Sequence, residues 1–414
     1  MKKVWIINQY NMPPEYGHLN RHYNFGKYLK RMGHTPFVFV GSFLHNTNRQ
    51  MIDDKSIFKK YDNCDFPYYF IKTCDYSKSN LKRIYAMYEF YRNLFKTTKN
   101  MEKPDVIIGS SAHPLAAIAA IRLAKKYNCE SIVEVRDLWP ESFVAYNIIK
   151  RHNPILKLLY AGEKWIYKNA DKIVFTMEGG KDYIIEQGWE KDQGGPIDIS
   201  KVSHINNGVD LEVFEENKGK YAFDDDDLDN ELTFKVIYTG SIRLVNNVKS
   251  IVDAAKVIKE KQLSDIKFLI FGEGSDREYL EKYCQDNGIQ NVIFKGYVDK
   301  KKIPYILSKS NLNIMHFKQS KIKKYGASLN KLFEYFASGK PTVSDCEFGY
   351  DLIKKYKSGI VVDNASAEQL SEAIIQFYNM DKEEYNLFCQ NAKKLSKVYD
   401  FKFLTKNLEK LFYS

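Results

Sequence analysis

Short apolar runs alternate with amphipathic stretches along the chain, and the alternation falls into two blocks. In the first block, apolar runs at 3–8, 35–41, 106–110, 131–135 and 172–176 read as buried strands. Between them, apolar residues recur at helical spacing over 19–32, 81–100, 114–127, 154–169 and 181–187. The second block repeats this grammar, with strands at 234–238, 267–271, 292–295, 312–315, 341–344 and 359–362. Its helices are predicted at 249–260, 277–287, 303–308, 329–337, 349–354, 367–379 and 382–396. Such alternation predicts parallel, doubly wound sheets. The expected fold class is α/β, with two Rossmann-like domains facing each other across a cleft. The first domain is expected at 1–203 and the second at 204–396. A last helix around 401–412 has no strand after it and is expected to cross back, so that 397–414 join the first domain.

One stretch carries chemistry: Tyr325-Gly-Ala-Ser-Leu-Asn-Lys-Leu-Phe-Glu-Tyr-Phe-Ala-Ser-Gly-Lys-Pro341. A tight turn runs into an amphipathic helix that stops at Gly339. Ser328 stands where an N-cap belongs, and the free amides of the first turn form an anion site that Lys331 strengthens. Glu334, one turn along, suits two ribose hydroxyls as an acceptor. Together these describe a clamp for a nucleoside diphosphate; the alternative is an ordinary capped helix.

Composition narrows the setting. A chain of 414 residues, 44% hydrophobic and 14% aromatic, has ample core for two domains. Met1-Lys2-Lys3 precedes only four apolar residues, too few for a secretory leader, and no run is long enough to cross a membrane. Six scattered cysteines without a C-x-x-C pattern read as reduced thiols of a cytoplasmic protein. Residues 1–200 hold 30 Lys and Arg against 21 Asp and Glu, whereas 201–414 hold 33 against 31. The basic first half calls for an anionic partner. The basic, Tyr- and Phe-rich stretch 82–96 can lie on the inner face of an anionic membrane, or pack its aromatic stripe on its own domain. No DNA- or RNA-binding module organises the charge, so nucleic acid is not an expected partner.

Further motifs stand in order: Ser111-Ala-His-Pro114, Arg136-Asp-Leu-Trp-Pro-Glu-Ser142, Asn206-Asn-Gly-Val-Asp210, Gly272-Glu-Gly274 and the 328–341 clamp. With them the whole chain resembles the retaining family-4 glycosyltransferases of the GT-B fold. It is most similar to the branch that builds bacterial capsule and O-antigen units, including N-acetyl-L-fucosaminyl transferases. The resemblance implies an enzyme that moves an N-acetylated hexosamine or deoxyhexosamine from a UDP-sugar to a polyprenyl-diphosphate-linked saccharide. It would work at the cytoplasmic membrane as a peripheral protein.

The resemblance also implies roles. Glu334 matches the second glutamate of the family's pair and would hold the ribose. The first glutamate is replaced by Gly326, whose N–H is expected to serve the sugar or phosphate instead. Lys331 and the amides of Ser328, Leu329 and Asn330 would take the diphosphate, with Gly240, Ser241 and Arg243 facing the same group. Gly272, Glu273, Gly274, Gly296 and Tyr297 would line the base site. His113 would donate to the sugar or the forming glycosidic oxygen, and Asp137 or Glu141 would orient or deprotonate the acceptor; Asp137 pairing with Arg136 is the alternative. Tyr16, Gly17, His18 and Arg21 would bind the acceptor, Arg21 by its diphosphate.

No metal or other cofactor is expected. His18 and His22 share a helical spacing but have no third ligand. The acidic run 224–227 precedes a strand rather than following one, and reads as a solvated loop. Helix N-terminus and Lys331 would neutralise the leaving diphosphate. Three alternatives stay open: a non-hydrolysing UDP-sugar 2-epimerase, a non-catalytic nucleotide-sugar-binding partner of a transferase, and a nucleic-acid-binding protein suggested by charge alone.

Overall fold

The computed structural model describes residues 1–17, 21–318 and 320–413, and the chain divides into two compact units. One comprises Met1–Asn206 with Phe401–Ser414, the other Asn207–Asp400.

The first unit contains strands β1 (Lys3–Ile7), β2 (Thr35–Gly41), β3 (Phe58–Tyr61), β4 (Tyr68–Ile71), β5 (Val106–Ser110), β6 (Glu130–Val135), β7 (Lys172–Phe175) and β8 (Val202–His204). Among the described residues they form one sheet in the order β3-β4-β2-β1-β5-β6-β7-β8. All pairings are parallel except that of β3 with β4, which adds an antiparallel edge that the apolar runs did not announce. Phe58-Lys-Lys-Tyr61 is polar and largely exposed, so it lacks the apolar run of an inner strand. Helices α1 (Arg21–Arg31), α2 (Asn80–Thr97), α3 (Pro114–Tyr127), α4 (Glu141–Ala145), α5 (Pro154–Asn169) and α6 (Gly180–Glu186) connect the strands. Trp5, Ile7, Phe39, Phe90, Leu94, Ile107 and the alanines of α3 make a core on one face of the sheet.

The second unit opens with α7 (Leu211–Lys220) and α8 (Asp226–Asp229). Its strands β9 (Phe234–Thr239), β10 (Ile266–Phe271), β11 (Val292–Gly296), β12 (Leu312–Met315), β13 (Thr342–Ser344) and β14 (Gly359–Val361) form a wholly parallel sheet, ordered β11-β10-β9-β12-β13-β14. Helices α9 (Val248–Glu260), α10 (Arg277–Asp286), α11 (Ile303–Ser308), α12 (Asn330–Ser338), α13 (Leu352–Lys355), α14 (Ala367–Asn379) and α15 (Lys382–Val398) complete the unit. Asp210 caps α7 by accepting the Val213 N–H. Order reverses at β9 and β12, the kind of switch point at which doubly wound sheets bind ligands.

The last helix, α16 (Phe401–Lys410), belongs to the first unit. It packs on α1 through an edge-to-face contact of Phe401 with Phe25, and Glu409 reaches His34 Nε2 at 2.8 Å. The six cysteines are all free.

Candidate functional site

Three loops follow β9, β10 and β11, and backbone bonds fasten them together. Gly240 N donates to Phe271 O at 2.9 Å, Ile242 N to Glu273 O at 2.9 Å and Gly272 N to Gly296 O at 2.8 Å. This approach requires glycine. A Cβ on Gly272 would lie 1.8 Å from the Gly240 carbonyl oxygen, and one on Gly274 would lie 2.1 Å from that of Ile242. Glu273 pairs with Arg277, and Tyr297 stands exposed beyond Gly296. The Ser241 carbonyl accepts from Tyr238 Oη and Asn246 Nδ2, at 2.9 and 2.8 Å, while Arg243 remains exposed.

Lys331 joins this turn from the first turn of α12. Its Nζ donates to Tyr238 Oη at 3.0 Å and lies 4.4 Å from the centroid of that ring. A Cβ on Gly240 would come within 2.9 Å of the same nitrogen, so the ammonium rests against the Gly240 turn. Burial pushes the Lys331 pKa down to about 7; Glu334 opposes the shift and Lys300 adds to it.

The start of α12 corrects one expectation. Its N-cap is Leu329, no side chain caps it, and Ser328 is otherwise engaged. Ser328 Oγ accepts the Asn207 N–H at 3.0 Å, and its carbonyl accepts Asn207 Nδ2 at 3.0 Å. Among the described residues, the first-turn amides of Asn330 and Lys331 thus have neither an intrahelical acceptor nor a capping side chain.

Gly326 is a second correction. Its N–H donates to Lys323 O at 2.9 Å and is not available to a sugar. Its φ of +94° explains the glycine, because a side chain is strained there. Glu334 forms an ion pair with Lys300, a residue that sequence reasoning missed because nothing local marks it. Also unforeseen is the pairing of His316 Nδ1 with Asp345 at the ends of β12 and β13; Asp345 further accepts Ser250 Oγ at 2.8 Å.

In the first unit, His113 caps the start of α3 from a fully buried position, between the rings of Tyr10 and Phe90. Neither ring nitrogen has a hydrogen-bond partner among the described residues. Burial, with a smaller contribution from Arg83, pushes its pKa down to about 3, so the ring is neutral at physiological pH. Asp137 is exposed and forms no ion pair with Arg136 among the described residues. Glu141 starts α4 and accepts the Tyr160 hydroxyl, with Arg151 3.9 Å away.

Arg21 does not serve an acceptor. It is buried, with Nε 2.7 Å from Glu134 Oε2, Nη1 donating to Asn206 O and Nη2 to Ile205 O. His22 Nε2 lies 3.0 Å from Glu134 Oε1, and its Nδ1 bonds Asn8. Arg21 therefore anchors the end of the first unit's chain, and Glu134 was missed because it sits inside an apolar strand. Tyr16 meets Tyr61 at a tilted ring contact, centroids 6.0 Å apart, and a Cβ on Gly17 would strike Met12 Sδ at 2.3 Å. His18 lies outside the described residues.

The acidic run is not a loose loop. Asp225 caps α8, Lys295 bridges Asp225 and Asp227 at 2.8 and 2.7 Å, and Lys309 holds Asp229 at 2.6 Å. Among the described residues no three His, Cys, Asp or Glu side chains gather as metal ligands.

Comparison with known proteins finds glycosyltransferases along both halves of the chain. Residues 20–213 match Glycosyltransferase Family 4, and residues 221–395 match Glycosyl transferases group 1. Over 158 residues the chain is 27% identical to poly(glycerol-phosphate) alpha-glucosyltransferase of Bacillus subtilis (strain 168), covering 37% of this chain and 22% of that protein. Over 222 residues it is 24% identical to poly(ribitol-phosphate) alpha-N-acetylglucosaminyltransferase of Staphylococcus aureus (strain COL), covering 53% of this chain and 40% of that one. The matches thus span less than half of either relative. Among solved structures, Anabaena HepE in complex with UDP and glucose superposes over 100% of both chains, with TM-score 0.68 and 13% identity. With one glycosyltransferase family matching each half and both α/β units in place, the chain belongs to the glycosyltransferases of the GT-B fold.

Proposed function

We propose that this protein transfers a sugar from a UDP-sugar to a hydroxyl of a lipid-linked glycan, with retention of configuration and without a divalent metal. The observation that carries the reading is Lys331, whose amine rests on the Gly240 turn beside the uncapped start of α12. A diphosphate there meets a cation, free amides and a helix dipole, which together stabilise the leaving group. Glu334 is proposed to accept the ribose hydroxyls in exchange for part of its bond to Lys300. HepE has been solved with UDP, and the two relatives above are named as α-transferases, which favours a UDP donor and a retained α-linkage.

For the acceptor side, Asp137 is exposed and available as a base, whereas Glu141 is already engaged by Tyr160. His113, neutral and unpartnered, can donate one N–H but holds no proton to spare at neutral pH. Membrane attachment is proposed through α2, where Leu81, Ile84, Tyr85 and Tyr88 are all more than half exposed. A role in building capsule, O-antigen or another surface polysaccharide follows from such an acceptor. The stripe that packs inward is a different one: Ala86, Phe90 and Leu94.

The test is UDP release in EDTA from a panel of UDP-N-acetylhexosamines, deoxyhexosamines and UDP-glucose, with and without polyprenyl-diphosphate saccharides. Acceptor-dependent release that persists in EDTA and collapses in Glu334→Ala is expected. UDP-sugar binding without acceptor-dependent turnover would overturn it in favour of an epimerase or a silent binding partner.

A further inference from the structure

Strands β12 and β13 of the second unit end in a pair of side chains that the diphosphate chemistry leaves unused. His316 Nδ1 meets Asp345 Oδ2, and Ser250 Oγ, in the first turn of α9, donates to the same oxygen at 2.8 Å. Both side chains are nearly enclosed, Asp345 2% exposed and His316 11%. Yet His316 Nε2 and Asp345 Oδ1 are buried without a hydrogen-bond partner among the described residues. Buried polar atoms are normally paired, so two unpaired ones on touching residues mark where a further hydrogen-bonding group fits.

The pair dictates what that group is. A carboxylate has no hydrogen to give, so the shared bond runs from Nδ1–H to Asp345 and fixes the tautomer of the neutral ring. Nε2 is then a lone-pair acceptor, and Oδ1 is another. Two acceptors disfavour an anion and call for a donor, which a sugar hydroxyl supplies and a diphosphate does not.

Strand register sets the pair beside the donor site. β12 pairs with β9 with Asn313 opposite Ile237, and three residues on His316 comes level with Gly240, one strand spacing of about 4.8 Å away. Tyr335 of α12 locks these strand ends together, accepting the Thr239 N–H at 3.0 Å and donating to Ile314 O at 3.3 Å. Lys331 rests on the Gly240 turn, and Glu334 of the same helix meets Lys300 in the loop after β11. In the order β11-β10-β9-β12-β13, a diphosphate over β9 with its ribose toward β11 sends its other substituent toward β12 and β13. That substituent is the sugar.

We propose that His316, oriented by Asp345, accepts a hydroxyl of the sugar carried by the nucleotide and so takes part in choosing that sugar. The inference rests on the UDP-sugar reading given above.

The full chain is titrated calorimetrically in EDTA with UDP, UDP-glucose, UDP-galactose and UDP-N-acetylglucosamine, then with 3-, 4- and 6-deoxyfluoro analogues of the UDP-sugar that binds tightest. His316→Phe is expected to weaken that UDP-sugar about tenfold and leave UDP itself unchanged. His316→Gln, whose amide oxygen also accepts, should restore part of the loss, and Asp345→Asn should reproduce the split between sugar and UDP. One deoxyfluoro analogue should bind the parent more weakly by a similar factor and lose nothing further in His316→Phe, because both changes delete the same bond. Equal losses for UDP and UDP-sugar, no loss, or the same fluorine penalties in parent and variant overturn the proposal. A parent that binds none of the UDP-sugars overturns it together with the reading beneath it. Turnover with polyprenyl-diphosphate saccharides is read on the same preparations. Sugar binding that depends on His316 without acceptor-dependent turnover sinks the transferase reading and leaves the His316 assignment standing; turnover whose donor KM His316→Phe leaves unchanged does the reverse.

Discussion

Lys331 Nζ lies 3.0 Å from Tyr238 Oη, and this contact places a cation inside a protein surface that holds its pKa near 7. Only the charged form attracts a diphosphate. Below about pH 7 the site is charged before the ligand arrives; above it, binding must take up a proton. UDP affinity is therefore expected to fall as pH rises above about 7, by up to roughly tenfold per unit. Lys331→Met should weaken binding and flatten the profile. A pH-independent affinity in the parent protein would rule the mechanism out.

Lys300 and Glu334 tune that same ammonium in opposite directions. Lys300→Met removes a like charge, so the pH midpoint of UDP binding should move up. Glu334→Gln removes an opposite charge and should move it down. Both shifts are read from the same titrations, and movement in the same direction for both variants would contradict the assignment.

The Arg21–Glu134 pair is buried on both sides. Arg21→Met leaves Glu134 with His22, whose own pKa burial depresses, so the carboxylate loses the permanent cation with which it pairs directly. A destabilisation of about 3–5 kcal/mol is expected for removing one member of a buried pair. Thermal unfolding measures it; an unchanged melting temperature would show that the pair holds nothing.

Gly272→Ala should be costly where Gly219→Ala is not. The added methyl of the first meets the Gly240 carbonyl at 1.8 Å and sits at φ +153°, whereas nothing lies within 4 Å of the second, in α7. About 2–3 kcal/mol of stability should be lost at position 272, with UDP affinity falling alongside. At 219, a helical site, alanine should be neutral or slightly stabilising. Denaturant unfolding of the two variants decides.

His113 predicts acid sensitivity. The unfolded ring takes up a proton near its ordinary pKa of 6.5, while the folded one stays neutral down to about 3. Stability contributed by this neutral ring is present above about pH 6.5 and lost as pH falls, at roughly 1.4 kcal/mol per unit. His113→Phe should flatten the acid limb of the pH–stability curve, and a parallel curve for the variant would refute the assignment.

The sequence made most inner strands legible because each carries an apolar run between polar turns, as in Phe268 to Phe271. It hid β3, whose Lys59 and Lys60 face solvent at a sheet edge, β8, which has three residues, and β4, a buried apolar run of only four residues. The same division runs through the site. Lys331, Glu334 and the Gly240 turn were readable because their chemistry is written in short local motifs. Lys300 and Glu134 were not, because each acquires its meaning from a partner far away in sequence. Arg21 shows the opposite failure. A basic residue opening a helix after a strand looks like a ligand site until Glu134, 113 residues later, takes it.

Because α16 packs on α1, the second unit is in effect an insertion within the first. His34 and Glu409 meet across 375 residues of chain. During synthesis, Asn207–Asp400 is complete and able to fold while α1 still lacks the helix that covers it. The order of maturation is thereby inverted: the half made first is the half finished last, and α1 depends until then on whatever else shields Phe25.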